Sequence, residues 1–270
     1  MTTLTTTPPT MASPAGSRPA PRTIPTGRII SVELRKMFTT RSGFWLVMSV
    51  VIVAVLATAG VIAFAPEDVL TYDTYAAAIG VPVAVILPMI AVLSVTSEWS
   101  QRSGLSTFTL VPHRRRIILA KLVATVTVAV ASMLVTFGVG AVGTLVGSLI
   151  TGVDPVWDVA AAQFPLIVLG NVLSLMMGFV LGLLLRSSAP AIVAYFVYAF
   201  VLPPILELLA MSQQWFADLQ PWVDFRYATG ALFDETLGAE QWAQLATSGA
   251  LWLVVPMIVG LVLTSRTEVK

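Results

Sequence analysis

Cysteine is absent from the 270-residue chain, which excludes disulfides, thiolate metal sites and thiol chemistry. Histidine occurs once, as His113, and no His-Glu-x-x-His pattern exists, so a zinc hydrolase has no ligands to work with. No Gly-x-x-x-x-Gly-Lys-Ser/Thr loop is present either, so the chain is not an ATPase of the P-loop kind. Charge is scarce, at 11% of residues, against about 25% in ordinary soluble domains. Apolar residues make up 57%. A soluble core cannot absorb that composition, and lipid leaves only helices or closed barrels as spanning solutions.

What is present is a set of six apolar runs, approximately Phe44–Phe64, Tyr75–Thr96, Ile117–Leu149, Phe164–Leu185, Ala189–Leu209 and Leu245–Thr264. Each can cross a hydrocarbon core of about 30 Å at 1.5 Å per helical residue. The runs are continuous rather than alternating, so they read as helices. The fold class is therefore all-α, a polytopic membrane protein with six transmembrane helices. The third run is too long for a perpendicular crossing and must tilt or extend past a surface. Pro82, Pro88, Pro203 and Pro204 interrupt spans, and each removes an intrahelical hydrogen bond. The Pro203-Pro204 pair, followed by Glu207, leads us to expect a broken outer end to the fifth span. Gly143/Gly147 and Gly178/Gly182 are small-xxx-small patterns. Packing within one subunit is favoured for them over a dimer seam.

The charges orient the spans. If the segments between them alternate inside and outside, starting inside, fourteen of the fifteen Lys and Arg residues fall inside and only Arg226 falls outside. Lys/Arg bias sets topology, so both termini are expected in the cytoplasm, with the chain in the inner membrane. Eleven of the fourteen acidic residues fall outside. The central portions of the spans carry no ionisable group. A proton- or sodium-coupled carrier normally needs one there, although sodium can also sit on the carbonyls of broken helices. The net charge of +1 gives no reason to expect a nucleic-acid partner.

Residues 1–26 are rich in Thr, Pro, Ser and Ala and lack an apolar signal-peptide core, so we expect a disordered cytoplasmic tail. Residues 27–270 form the six-span domain. Its opening segment, Gly27 to Arg41, places Ile30, Leu34, Met37 and Phe38 at helical spacing, with Glu33, Arg35 and Lys36 on other faces. It reads as an amphipathic helix on the inner leaflet, in contact with membrane lipid. The inside loop from Ser97 to Lys121 mixes charge with Trp99, Leu105, Phe108 and Leu110, and apolar groups there need burial against a cytoplasmic partner. The outside segment from Glu207 to Gln244 interleaves Trp215, Phe216, Trp222, Phe225, Tyr227, Phe233 and Trp242 with acids. Short helices on or dipping into the outer leaflet fit it. Asn171, Ser174, Tyr195 and Tyr198, the polar or amphipathic groups of the fourth and fifth spans, are the candidates for lining a path, and Asn171 could equally bond helix to helix.

The chain resembles the membrane subunits of type-2 ABC exporters over roughly residues 28–264. Three features carry the resemblance. One is Glu33-Leu-Arg-Lys36 to Thr39-Thr-Arg-Ser42 immediately before the first span. Another is the inside loop, with Ser97-Glu98 followed by Gly104, Thr107, Leu110, Pro112, Arg115 and Lys121. The last is the plan of six spans with a large outer loop before the sixth. The resemblance implies that Glu33, Arg35, Lys36 and Arg41 belong to an elbow helix. It implies that Glu98, Arg102, Gly104, Thr107, Pro112 and Arg115 couple to an ATPase, and that the outer loop forms re-entrant helices. It implies a permease working with a second permease chain, identical or different, and with a P-loop ABC ATPase. ATP-Mg would bind in that partner, and this chain would bind no cofactor. The cargo class that fits uncharged spans is small and hydrophobic or amphipathic, drug-like or lipid-like. The alternatives are an ion-coupled carrier and a non-transporting anchor for a cytosolic partner.

Overall fold

A computed structural model describes residues 25–100, 114–233 and 237–266. Six helices in it are long and apolar enough to cross a membrane. A separate helix, α1 (Thr26–Thr39), precedes them. The long helices are α2 (Arg41–Phe64), α3 (Tyr72–Ser100), α4 (Arg114–Thr151), α5 (Gln163–Leu185), α6 (Ser188–Ser212) and, after two short helices, α9 (Ala239–Thr264). The short helices are α7 (Gln214–Val223) and α8 (Phe225–Gly230). Among the described residues no strand forms beyond one isolated bridge between Thr71 and Val156.

The corner between α1 and α2 is built by Thr40. Its backbone is extended, its hydroxyl donates to the Lys36 carbonyl at 2.9 Å and accepts from Gly43 N at 3.2 Å. One threonine thus caps the end of one helix and the start of the next. A Cβ on residue 43 would lie 2.5 Å from the Met37 carbonyl oxygen, so glycine is needed for the close turn. The elbow expected over Gly27–Arg41 is therefore corrected at its end: α1 stops at Thr39, and Arg41 is the first residue of the first long helix.

Packing centres on α5, which is buried on two sides. Leu175, Phe179 and Leu183 face a core shared with Val50 and Ala54 of α2, Ile79, Val83 and Leu87 of α3, and Met133 of α4. Met177 and Val180 face a second core with Tyr195 and Tyr198 of α6, Phe225 and Ala228 of α8, and Leu245 and Leu253 of α9. A helix apolar all round belongs inside a bundle. The glycines make the close approaches. A Cβ on Gly178 would stand 2.6 Å from the Pro88 carbonyl oxygen, and one on Gly182 2.5 Å from Val95 Cγ1. A Cβ on Gly143 would stand 2.5 Å from Thr58 Cγ2. Both small-xxx-small patterns are seams inside the chain.

The expectation of a broken fifth span is overturned. α6 runs unbroken to Ser212, and Val197–Val201 adopts a π-helical turn just before Pro203-Pro204. The widened turn shifts the hydrogen-bond register, and the prolines fall at the first positions of the next α segment, where their missing N–H costs nothing. The same device recurs in α9, where a π turn at Ala250–Val254 precedes Pro256. In α3 the helix continues through Pro82 and Pro88. Pro88 cannot donate to the carbonyl four residues before it, Ala84, and the Tyr195 hydroxyl of α6 does so instead at 3.3 Å.

Candidate functional site

The two ends of the bundle differ. At the near end, α1 lies against the start of α4. Ile29 and Glu33 are the buried residues of α1. Lys121 donates to Glu33 Oε2 at 2.6 Å, and Lys36 donates to Oε1 at 2.7 Å. The Glu33 and Lys121 side chains are only 6% and 4% exposed. Burial pushes the Glu33 carboxyl up, but the Lys121 and Lys36 ammoniums outweigh it and hold the group below the usual carboxylate range. Arg116 adds a second tie, donating from Nη2 to Thr26 Oγ1 at 2.9 Å. Arg35 and Arg41 are exposed, and Val32 and Phe38 of α1 turn apolar surface outward. The face that α1 gives to the bundle is thus built on Ile29 and Glu33, with Met37 packed against the first core.

Of the residues assigned to ATPase coupling, Arg115 is exposed at the start of α4. Glu98 lies on the last turn of α3. Arg102, Gly104, Thr107 and Pro112 lie outside the described residues. α3 ends and α4 begins at the near end, the end that carries α1.

The far end holds a cavity of about 1100 Å³. It runs down α3 from Asp73 to Val85, roughly 18 Å at the rise of an α-helix, and is walled by α4, α5, α6, α7 and α8. Its deep part is apolar, with Val83, Val85, Met133 and Ile167. Asn171 and Ser174 sit one helical turn apart on α5 and both face it, as does Tyr195. Tyr198 does not. It is packed into the second core against Trp252, ring centroids 5.6 Å apart. The Asn171 amide nitrogen bonds to the Ile167 carbonyl of its own helix at 2.9 Å, so the bond is within the helix and not between helices.

Charged residues gather where the cavity opens: Asp73, Glu207, Asp224, Arg226 and Glu240. Asp224 is buried and caps α8, accepting from Arg226 N at 3.0 Å and Tyr227 N at 3.1 Å. Gln220 also bonds it, at 3.2 Å. No motif in the sequence marks Gln220, Asp73 or Glu207 as site residues, and Lys121 and its partner Glu33 stand 88 residues apart in the chain. A lone lysine entering an apolar run was the available signal.

A bundle of six apolar helices with a pre-span helix at one end and an open cavity at the other defines a multi-pass membrane protein. The family described as ABC-2 family transporter protein matches residues 29–202. That is more than half of the chain, and the chain belongs to this family. Its members are transport subunits that normally work with an ATPase subunit. No curated protein matches the chain.

Proposed function

We propose that the chain is the permease subunit of an ATP-driven exporter of small hydrophobic or amphipathic molecules. The observation that carries the reading is the far-end cavity: large, apolar in its depth, with a few polar groups from α5 and α6. Sites of that make-up take drug-sized ligands. The near end, with its Lys and Arg excess, faces the cytoplasm, and both termini lie there, in the inner membrane. α1 lies on the inner leaflet, and α7 and α8 dip into the outer one. A separate P-loop ATPase docks on the loop carrying Glu98, Arg102, Gly104, Thr107, Pro112 and Arg115. Two permease chains, identical or different, complete the transporter. Differential binding of ATP-bound and ATP-free partner switches access.

The test is efflux from vesicles holding the chain with its co-purified ATPase. Transport should need ATP on the ATPase side and survive collapse of the proton and sodium gradients. Efflux by the chain alone, abolished by an ionophore, would identify an ion-coupled carrier instead. Partner binding without any efflux would identify a membrane anchor.

A further inference from the structure

We infer that the far-end cavity takes cationic amphipathic molecules, with an apolar body and an ammonium head that donates several hydrogen bonds. The inference rests on the proposal that this cavity is the substrate path and names the chemistry it selects. The apolar depth accepts the body, as above. Two further observations, independent of each other, specify the head.

The first is the state of the buried amides. Asn171 and Gln220 are each 5% exposed. Each commits its NH2 group inside the protein, Asn171 to the Ile167 carbonyl and Gln220 to Asp224. Among the described residues neither side-chain oxygen receives a donor, and both residues line the cavity. The Ser174 hydroxyl also makes no bond there, and Tyr195 spends its proton on Ala84, leaving only lone pairs. Asn171, Gln220 and Tyr195 therefore offer the cavity acceptors, and the Ser174 hydroxyl can donate or accept. A ligand that displaces water from an acceptor must replace the hydrogen bond or lose affinity, so the ligand that fits these oxygens brings N–H groups.

The second is the charge at the opening. Four carboxylates, on Asp73, Glu207, Asp224 and Glu240, face one guanidinium, on Arg226. Asp224 is engaged as a helix cap, but the other three are exposed to solvent. A cleft lined by one sign of charge with low-dielectric walls focuses its field and concentrates the opposite ion. An anion meets the same field as a barrier.

The experiment measures binding to the full chain in nanodiscs of uncharged phospholipid, with empty discs subtracted. Three fluorescent probes share one body: dansylcadaverine, its N-acetyl derivative, and the dansyl amide of 6-aminohexanoic acid. They are cationic, neutral and anionic. The expected order is cation, neutral, anion, with the cation about tenfold tighter than the neutral probe at low salt. The preference should shrink as ionic strength rises. Combined Asp73→Asn, Glu207→Gln and Glu240→Gln substitutions should reduce the cation-to-neutral ratio at least about threefold. Equal binding of the three probes, binding of none, or tightest binding of the anion overturns the inference, and the wild-type series decides this without any variant. No ATP or partner enters the measurement. A charge-blind cavity would thus sink this inference alone, and ion-driven efflux would sink the exporter reading alone.

Discussion

The near end buries one carboxylate and pairs it internally; the far end leaves three carboxylates, on Asp73, Glu207 and Glu240, facing open space. Around α1, a carboxylate buried in the bundle holds two ammoniums at 2.6 and 2.7 Å. Around the cavity, carboxylates stand at the opening, and the lining amides of Asn171 and Gln220 have no donor to their oxygens among the described residues. Both regions are polar places in an apolar molecule, yet they differ in consequence. A satisfied buried pair fixes geometry, because breaking it strands a charge. Unsatisfied groups along a cavity instead lower the cost of admitting something that satisfies them. The pre-span helix reads as a part fastened to the bundle, and the far end as the part that meets a ligand.

The sharpest way to break that comparison is to remove Lys121. Lys121→Met leaves Glu33 buried with only the half-exposed Lys36. It should cost about 3–5 kcal/mol of stability, the range for stranding one member of a buried pair. Thermal unfolding in detergent would show it as a large fall in Tm. Adding Glu33→Gln should recover much of the loss, since the stranded charge is then gone. A Lys121→Met variant as stable as wild type would mean that the near end is no better fastened than the far end.

The glycine seams give a smaller effect. Gly178→Ala sets a Cβ 2.6 Å from a backbone oxygen of Pro88, which has no flexible end to yield. Overpacking of this kind costs about 1–3 kcal/mol. Gly138→Ala on α4 meets nothing within 4 Å and should gain up to about 1 kcal/mol from helix propensity. A reversal of the two would show that α3 and α5 are not in contact along this seam.

These two tests divide what the sequence could and could not show. The spans and the inward pairing of both glycine patterns were legible because apolar periodicity and residue size are local properties. The unbroken fifth span was not. Proline at 203 and 204 predicts a break, and the π turn that absorbs it needs a neighbourhood that sequence spacing does not describe. The burial of Glu33 was hidden for a related reason. Taken alone, α1 shows an apolar stripe and charged residues on its other faces, and only the position of Lys121 reveals that Glu33 packs inward. At the far end, Asn171, Ser174 and Tyr195 stood out as polar groups on apolar helices and do line the cavity. Gln220 and Glu207 fall in the outside stretch of sequence from Glu207 to Gln244, already crowded with polar residues, so nothing distinguished them.

Acid tests the near end alone. The Glu33 carboxyl is held below its ordinary value by its two lysines. A lowered folded-state pKa gives stability that is present in full above the unfolded value, about 4.3, and is lost as pH falls through the folded one. Stability should therefore hold from neutral pH down to about 5 on account of this group, then fall, by about 1.4 kcal/mol for each unit by which the pKa is depressed. Glu33→Gln should remove that component of the acid slope. An unchanged slope in the variant would show that the carboxyl is not paired in the folded protein.

The smallest effect separates the two tyrosines of α6, one turn of helix apart. Tyr195 donates to Ala84, whose carbonyl lacks its usual helical donor because residue 88 is proline. Tyr198 makes ring contacts with Tyr195 and Trp252, and its hydroxyl has no hydrogen bond among the described residues. Tyr195→Phe should therefore cost about 0.6 kcal/mol, the average for a hydrogen bond between membrane helices, and not above about 1.7. Tyr198→Phe keeps the ring packing and should change stability by less than about 0.5 kcal/mol. Tyr195 also lines the cavity, whereas Tyr198 lies behind its wall, so only the first substitution should alter dansylcadaverine binding. The direction is set by the lone pairs lost with the hydroxyl: binding should weaken. Denaturation curves and probe titrations on the two variants would settle the pair together. If Tyr198→Phe were the costlier change in both measurements, the cavity wall would be misassigned and the division between core and path along α6 would fail.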